Sequence, residues 1–140
     1  MNDKVFADTN IVIDFLLDRT PHSDPAIKLL KMAEAKKIEL FVSAGSYDTL
    51  YYVLRKNLVP HADCIRLFKR LNRIVKMVAV DKDVVENAIE SNFSDIEDAI
   101  QYFSARKVKG LKTIISRDKK GFNKGKMTIL SAEEYLKTLN

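Results

Sequence analysis

The sequence predicts a single α/β domain over residues 1–140, in which helices cover both faces of a parallel sheet. Short apolar segments of strand length alternate along the chain with longer segments whose apolar residues recur at helical spacing. This alternation is typical of parallel sheets, because a helix usually forms the crossover between two parallel strands. No internal repeat or linker interrupts the pattern, and 140 residues can bury a core without disulfides.

Five segments are short and apolar, as buried strands are. They cover residues 5–7, 38–42, 76–80, 113–115 and 128–130. The predicted helices cover about 11–17, 25–37, 44–57, 62–74, 82–91, 95–108 and 132 onward. Residues that can cap a helix precede four of these helices: Ser23 or Asp24, Asp81, Ser94 and Ser131.

The composition is that of an ordinary globular protein. Hydrophobic residues make up 46% and charged residues 31% of the chain, which excludes a disordered polyampholyte. The longest apolar stretches are too short to span a membrane, and the first residues lack the features of a signal peptide. Cys64 is the only cysteine, so no intramolecular disulfide can form. We therefore expect a cytoplasmic protein without a membrane partner.

Acidic residues follow the strand ends or begin the neighbouring helices. Asp8 and Asp118 come just after the first and fourth predicted strands, whereas Asp48, Asp95 and Asp98 lie in the first turns of helices. Right-handed crossovers bring these strand ends and helix starts to one side of a parallel sheet, where the functional crevice lies. We therefore expect the carboxylates to converge.

The acids on helices lie beside the predicted apolar faces. Asp95 and Asp98 are three residues apart and flank the core face of their helix, which we predict to be Ile96, Ala99, Ile100 and Phe103. Structural roles remain open for several of the acids, since Asp8 and Asp95 can cap helices and Asp118 can form a turn. Asp48 and Asp98 fit such roles less well, because aspartate disfavours helix interiors.

A cluster of carboxylates predicts a divalent metal site. Like charges that lie close together repel each other, and a cation between them removes that repulsion. Oxygen ligands suit Mg²⁺ or Mn²⁺ rather than Zn²⁺, and the two histidines, His22 and His61, are isolated from each other in the sequence. Such a site is suited to hydrolysis of phosphodiester bonds.

Four segments, in order, resemble the acidic motifs of PIN-domain nucleases. Asp8, Thr9 and Asn10 follow a strand and precede an apolar helix. Residues 42–56 contain Asp48 where most members of the family have Glu. Residues 95–102 resemble the third motif, with Asp98 as its main acid and Asp95 as an additional one. Residues 115–122 resemble the fourth motif, with Asp118.

The resemblance covers essentially the whole chain and implies a three-layer α/β/α fold with a central parallel sheet of five strands. It implies a Mg²⁺- or Mn²⁺-dependent endoribonuclease, similar to the VapC toxins that a partner antitoxin holds inactive, and it leaves open a homodimer. It also implies that Asp8, Asp98 and Asp118 are the principal metal ligands. Asp48 would position a water at the metal, and Asp95 would be auxiliary. Thr9, Asn10 and Ser116 are candidates for orienting the carboxylates or contacting phosphate.

A basic cluster after the fourth strand is the candidate RNA contact. It consists of Arg117, Lys119, Lys120, Lys124 and Lys126. With a net charge of +5 and a pI near 9.3, the chain favours a polyanionic partner, although solubility alone explains such a balance equally well.

Two alternative interpretations of the early aspartate differ in their sequence requirements. A haloacid-dehalogenase-type phosphatase would need an acid where this chain has Asn10, and a response-regulator receiver would need an acid adjacent to Asp8. A non-catalytic RNA-binding or protein-interaction module that retains the PIN fold remains the alternative to a nuclease.

Overall fold

The structure, a computed structural model, describes residues 2–122 and 125–139. Its centre is a parallel sheet of five strands in the order β3-β2-β1-β4-β5. The strands are β1 (Asp3–Ala7), β2 (Ile38–Ser43), β3 (Lys76–Val78), β4 (Thr113–Ile115) and β5 (Thr128–Leu130). The predicted parallel five-stranded α/β fold is therefore confirmed.

Seven α-helices connect or follow the strands. They are α1 (Thr9–Leu16), α2 (Ser23–Glu34), α3 (Ser46–Lys56), α4 (His61–Ile74), α5 (Lys82–Glu90), α6 (Ile96–Arg106) and α7 (Ala132–Thr138). A single 3₁₀ turn, Lys120–Phe122, follows β4. No helix of the described residues has the length and apolar character needed to cross a bilayer.

The two faces of the sheet bury two separate apolar clusters. Successive side chains of a strand point to opposite faces, so Val5 and Ala7 enter one cluster while Phe6 enters the other. The first cluster is covered by α1, α2, α3, α4 and α7. The second is covered by α6, against which α5 packs. The result is the three-layer arrangement that the sequence predicts.

The order of the strands places a crevice beside β1. The chain moves outward from β1 to β2 and β3, and then returns to the other side of β1 with β4 and β5. Side chains at the carboxyl ends of β1 and β4 flank this reversal, where parallel sheets bind ligands. The amide of Asp8 donates to the carbonyl of Ile115 at 2.9 Å, so the parallel pairing continues up to the first acid of the candidate site.

Two of the predicted helix starts are wrong in detail. Asp95, rather than Ser94, caps α6, because its carboxylate accepts a hydrogen bond from the amide of Asp98. Neither Ser23 nor Asp24 caps α2, since both lie within the helix and His22 occupies the cap position without a side-chain hydrogen bond. Ser23 is instead fully buried.

The predicted core face of α6 is also wrong at its first position. Ile96 is 53% exposed, whereas Ala99, Tyr102 and Ala105 are buried. The buried stripe is thus displaced around the helix, and Ile96 is the first residue of that helix.

A buried ion pair joins α1 to the segment after β4. Asp14 is fully buried, and its carboxylate accepts hydrogen bonds from Nε and Nη2 of Arg117 at 2.8 and 3.1 Å. Arg19 contributes a further ion pair at 3.1 Å from a side chain that is 43% exposed. The pair fixes the residue that immediately precedes Asp118.

We expect Asp14→Ala to lower the free energy of unfolding by roughly 2 to 3 kcal/mol, because it leaves the Arg117 guanidinium without its buried partner. The matched change Arg19→Ala removes the more exposed ion pair and should cost less than about 1 kcal/mol. Urea denaturation of both variants measures the difference. Equal losses would contradict the central role of the Arg117 contact.

Candidate active site

Asp8 lies in the interior at the carboxyl end of β1. It is 4% exposed and caps α1, with its carboxylate accepting a hydrogen bond from the amide of Thr9 at 2.7 Å. The hydroxyl of Ser116 donates to the other carboxylate oxygen at 2.6 Å. These hydrogen bonds hold the carboxylate in one orientation at the junction of β1 and β4.

Asp98 and Asp118 converge on Gly121 from two different elements. A Cβ atom on Gly121 would overlap Oδ2 of Asp98 and would lie 3.0 Å from Oδ2 of Asp118. The amide of Gly121 donates to Oδ1 of Asp118 at 3.2 Å, and the amide of Asp118 donates to the hydroxyl of Ser116 at 2.9 Å. Ser116 thus contacts both Asp8 and the backbone of Asp118, which connects the three acids.

The proximity of these acids changes their proton affinity. Burial raises the pKa of Asp98 to about 7, and the charges of Asp8, Asp95 and Asp118 act in the same direction. Burial also raises the pKa of Asp8, against the opposing hydrogen bonds of Ser116 and Gln101. No lysine or arginine among the described residues forms an ion pair with Asp8, Asp98 or Asp118.

The other two predicted acids are Asp95 and Asp48. Asp95 adjoins it, because it caps α6 and its charge raises the pKa of Asp98. Asp48 lies in the first turn of α3 and is exposed, and its side chain forms no hydrogen bond or ion pair within the described part of the chain. The structure therefore brings together Asp8, Asp95, Asp98 and Asp118.

A network of buried polar groups adjoins Asp8. The amide of Thr9 also donates to Oε1 of Gln101 at 3.0 Å, and the hydroxyls of Thr9 and Ser46 lie 2.7 Å apart. Gln101 and Ser46 are 3% and 4% exposed, yet sequence reasoning missed both. No local pattern marks Gln101, because its neighbours on the same helix face include Glu97, Asp98 and Ser104.

Glu97 is an acid that the sequence analysis did not assign to the site. Burial raises its pKa, and the charges of Asp95 and Asp8 act in the same direction. It therefore faces the same negative field as Asp98. Oδ1 of Asn10, a predicted orienting atom, is buried and has no hydrogen-bond partner among the described residues.

The predicted basic cluster divides into separate contacts. Arg117 is held by Asp14, and Nζ of Lys119 pairs with Glu134 at 2.5 Å. Lys126 lies farther along, where its amide donates to the hydroxyl of Tyr102 at 2.9 Å. Lys124 lies outside the described residues. The two cations nearest to Asp118 in sequence thus already have acidic partners.

The donor set fits a hard divalent cation. All the donors are carboxylate oxygens, which Mg²⁺ and Mn²⁺ prefer, and the missing Cβ of Gly121 makes room for the Asp98 carboxylate beside Asp118. Within residues 2–122 and 125–139, no three acidic, histidine or cysteine side chains already surround one point. The carboxylates would therefore close on an ion by rotation of their side chains.

Comparison with solved structures shows similar folds. The chain superposes with a TM-score of 0.68 on VapC20 of Mycobacterium tuberculosis, described as a Sarcin-Ricin loop cleaving toxin; this match has 18% identity and covers 88% of this chain and 96% of that one. It superposes with a TM-score of 0.66 on Rickettsia felis VapBC2, bound to a DNA fragment from its promoter. That match has 11% identity and covers 91% of this chain and 98% of that one.

Comparison of sequences agrees with the fold. The chain is 31% identical to Ribonuclease VapC1 of Aquifex aeolicus (strain VF5) over 144 aligned positions, which cover 99% of this chain and 97% of the relative. Residues 4–120 match the PIN-domain family. The predicted family is thereby confirmed: the chain is a member of the PIN-domain family.

Proposed function

We propose that this chain is a divalent-metal-dependent endoribonuclease of the VapC type, which hydrolyses phosphodiester bonds of RNA within one domain over residues 1–140. The observation that carries the proposal is the group of Asp8, Asp98 and Asp118, which is assembled at the sheet edge without a balancing cation among the described residues. Repulsion between neighbouring carboxylates lowers the stability of the folded chain. A site that binds a cation explains why the carboxylates are nevertheless held together.

Asp8, Asp98 and Asp118 would hold Mg²⁺ or Mn²⁺, with Asp95 as an additional negative charge. When bound, the ion would polarise the scissile phosphate and lower the pKa of a water. Thr9 and Ser116 hold the Asp8 carboxylate in place. Asp98 has a pKa of about 7, so it would release its remaining proton when it becomes a ligand.

Several further roles belong to the same proposal. Asp48 would position the attacking water from the rim of the site. Asn10 would supply its buried oxygen to orient substrate or ligand, because that atom has no other partner in the described part of the chain. Arg117 would act on substrate only by leaving Asp14, and Lys119 only by leaving Glu134.

RNA is proposed as the substrate because the relative that is 31% identical over almost the whole chain is named a ribonuclease. The similarity to VapC proteins, one of them described together with its VapB partner, supports an antitoxin as a protein partner. A cytoplasmic location and a homodimer remain predictions. A non-catalytic module would leave the raised pKa of Asp98 without a function.

We expect Asp98→Asn to reduce the rate of RNA cleavage in Mn²⁺ by at least about 100-fold, since losing even a supporting group of a metal site costs up to that much. Asp83→Asn is the matched control, because Asp83 is an exposed acid in the first turn of α5. Cleavage of a labelled RNA, with and without EDTA, measures both. Full activity in Asp98→Asn or in EDTA would refute the nuclease.

Gly121→Ala should reduce cleavage at least about 10-fold while leaving the folded state intact, because the added methyl group occupies the space of the Asp98 carboxylate. The flexible end of Asp98 can move aside, so we expect a change in the free energy of unfolding below about 1 kcal/mol. Metal titration by calorimetry should show weaker binding. An Ala variant with the metal affinity and cleavage rate of the wild type would contradict a metal site beside Gly121.

Stability without metal should fall as the pH rises. The folded protein holds a proton on Asp98 up to about pH 7, whereas the unfolded chain releases it near 3.8, so folding takes up protons between these values. In EDTA at about pH 8, Asp98→Asn should therefore melt at least about 2 °C above the wild type, and the difference should vanish near pH 4. Melting curves with a constant offset across this range would be incompatible with the raised pKa.

A further inference from the structure

A basic cavity lies on the α6 side of the sheet, beside β5 and away from the carboxylates. Its volume is about 390 Å³, and three of its lining residues are Arg106, Lys112 and Lys126. These cations come from three segments: the end of α6, the connection to β4 and the segment before β5. No acidic residue lines the cavity, and none of the three cations forms an ion pair within the described part of the chain.

Tyr102 gives this cavity a fixed wall. The side chain is 4% exposed, and its hydroxyl accepts a hydrogen bond from the amide of Lys126. The backbone of Gly125 lies directly on the ring, because a Cβ there would overlap ring atoms. The guanidinium of Arg106 is 6.0 Å from the centre of the same ring. Both Arg106 and Lys126 are thus held beside a buried aromatic side chain.

One helix face connects the cavity to the candidate active site. Asp98, Tyr102 and Arg106 are four residues apart along α6 and so share one face. Gly121 packs on Asp98 and Gly125 packs on Tyr102, so both glycines lie against this face. Eight residues of helix separate Asp98 from Arg106, which corresponds to about 12 Å along the axis.

We propose that this cavity binds backbone phosphates of the RNA a few nucleotides away from the bond that is cut, since it lies about 12 Å along α6 from Asp98. The inference rests on the proposed ribonuclease function and extends it to a second contact. Three cations without an acid among the lining residues attract phosphate, whereas the carboxylate group repels it unless metal is bound. Arg117 and Lys119 are paired with acids, so the cavity supplies attraction for phosphate that these two side chains do not.

The test compares two double variants that remove the same charge. Arg106→Gln/Lys126→Gln alters the cavity, and Lys28→Gln/Lys31→Gln alters α2 on the opposite face of the sheet. The probes are fluorescein-labelled single-stranded RNAs of about 3 and about 16 nucleotides, chosen so that only the longer one reaches from the site of cleavage to the cavity. Binding is measured by anisotropy in EDTA over a range of salt concentrations, and KM and kcat are measured in Mn²⁺.

For the long RNA, the cavity variant should bind at least about 5-fold more weakly, and its salt slope should fall by about 0.7 for each phosphate that is no longer neutralised. Its KM should rise while kcat stays within about twofold, and the short RNA should show neither change. The α2 variant should match the wild type, and thermal melting checks that both variants fold.

Two results overturn the inference: equal weakening by both double variants, which indicates net charge alone, or an equal effect on the short and long RNAs. A wild-type protein that cleaves no RNA in Mn²⁺ contradicts the proposed function instead. The cavity variant would still be judged by its binding in EDTA, so the two failures are distinguishable.

Discussion

The carboxylate of Asp8 lies inside the protein with hydrogen bonds but no balancing cation among the described residues, and the arrangement of the site follows from that burial. Such a group is unfavourable unless its oxygens are satisfied. The amide of Thr9 and the hydroxyl of Ser116 donate hydrogen bonds to these oxygens. Thr9 is the first residue of α1, and Ser116 comes directly after β4. Through these hydrogen bonds Asp8 connects the start of α1 to the end of β4, and the other acids of the site lie around this junction.

The remaining acids add negative charge beside the Asp8 carboxylate, where burial already makes a negative charge unfavourable. Asp98 responds with a pKa of about 7, so that near neutral pH part of the protein carries a proton there. A divalent cation and a proton are alternative ways to relieve the same repulsion. The ion pair between Asp14 and Arg117 holds the segment that carries Asp118, so the repulsion does not push that segment away. The site is thus strained electrostatically while its backbone stays fixed.

Local patterns in the sequence predict the fold and most of the acidic group, because strand ends and helix starts are short-range features. The parts that they do not predict depend on contacts between distant residues. Gln101 is recognised only through Thr9, from which it is 92 residues away, and the role of Arg117 depends on Asp14, 103 residues earlier. Ile96 is exposed although helical periodicity places it on the predicted core face of α6.

The central claim is that Asp8, Asp98 and Asp118 share one divalent ion. The most direct measurement is anomalous diffraction from crystals soaked in Mn²⁺, which locates the ion without assumptions about activity. We predict a single strong peak within about 2.5 Å of oxygens from at least two of these aspartates, beside Gly121. A map with no peak there, or with a peak at Asp48 alone, would contradict the claim.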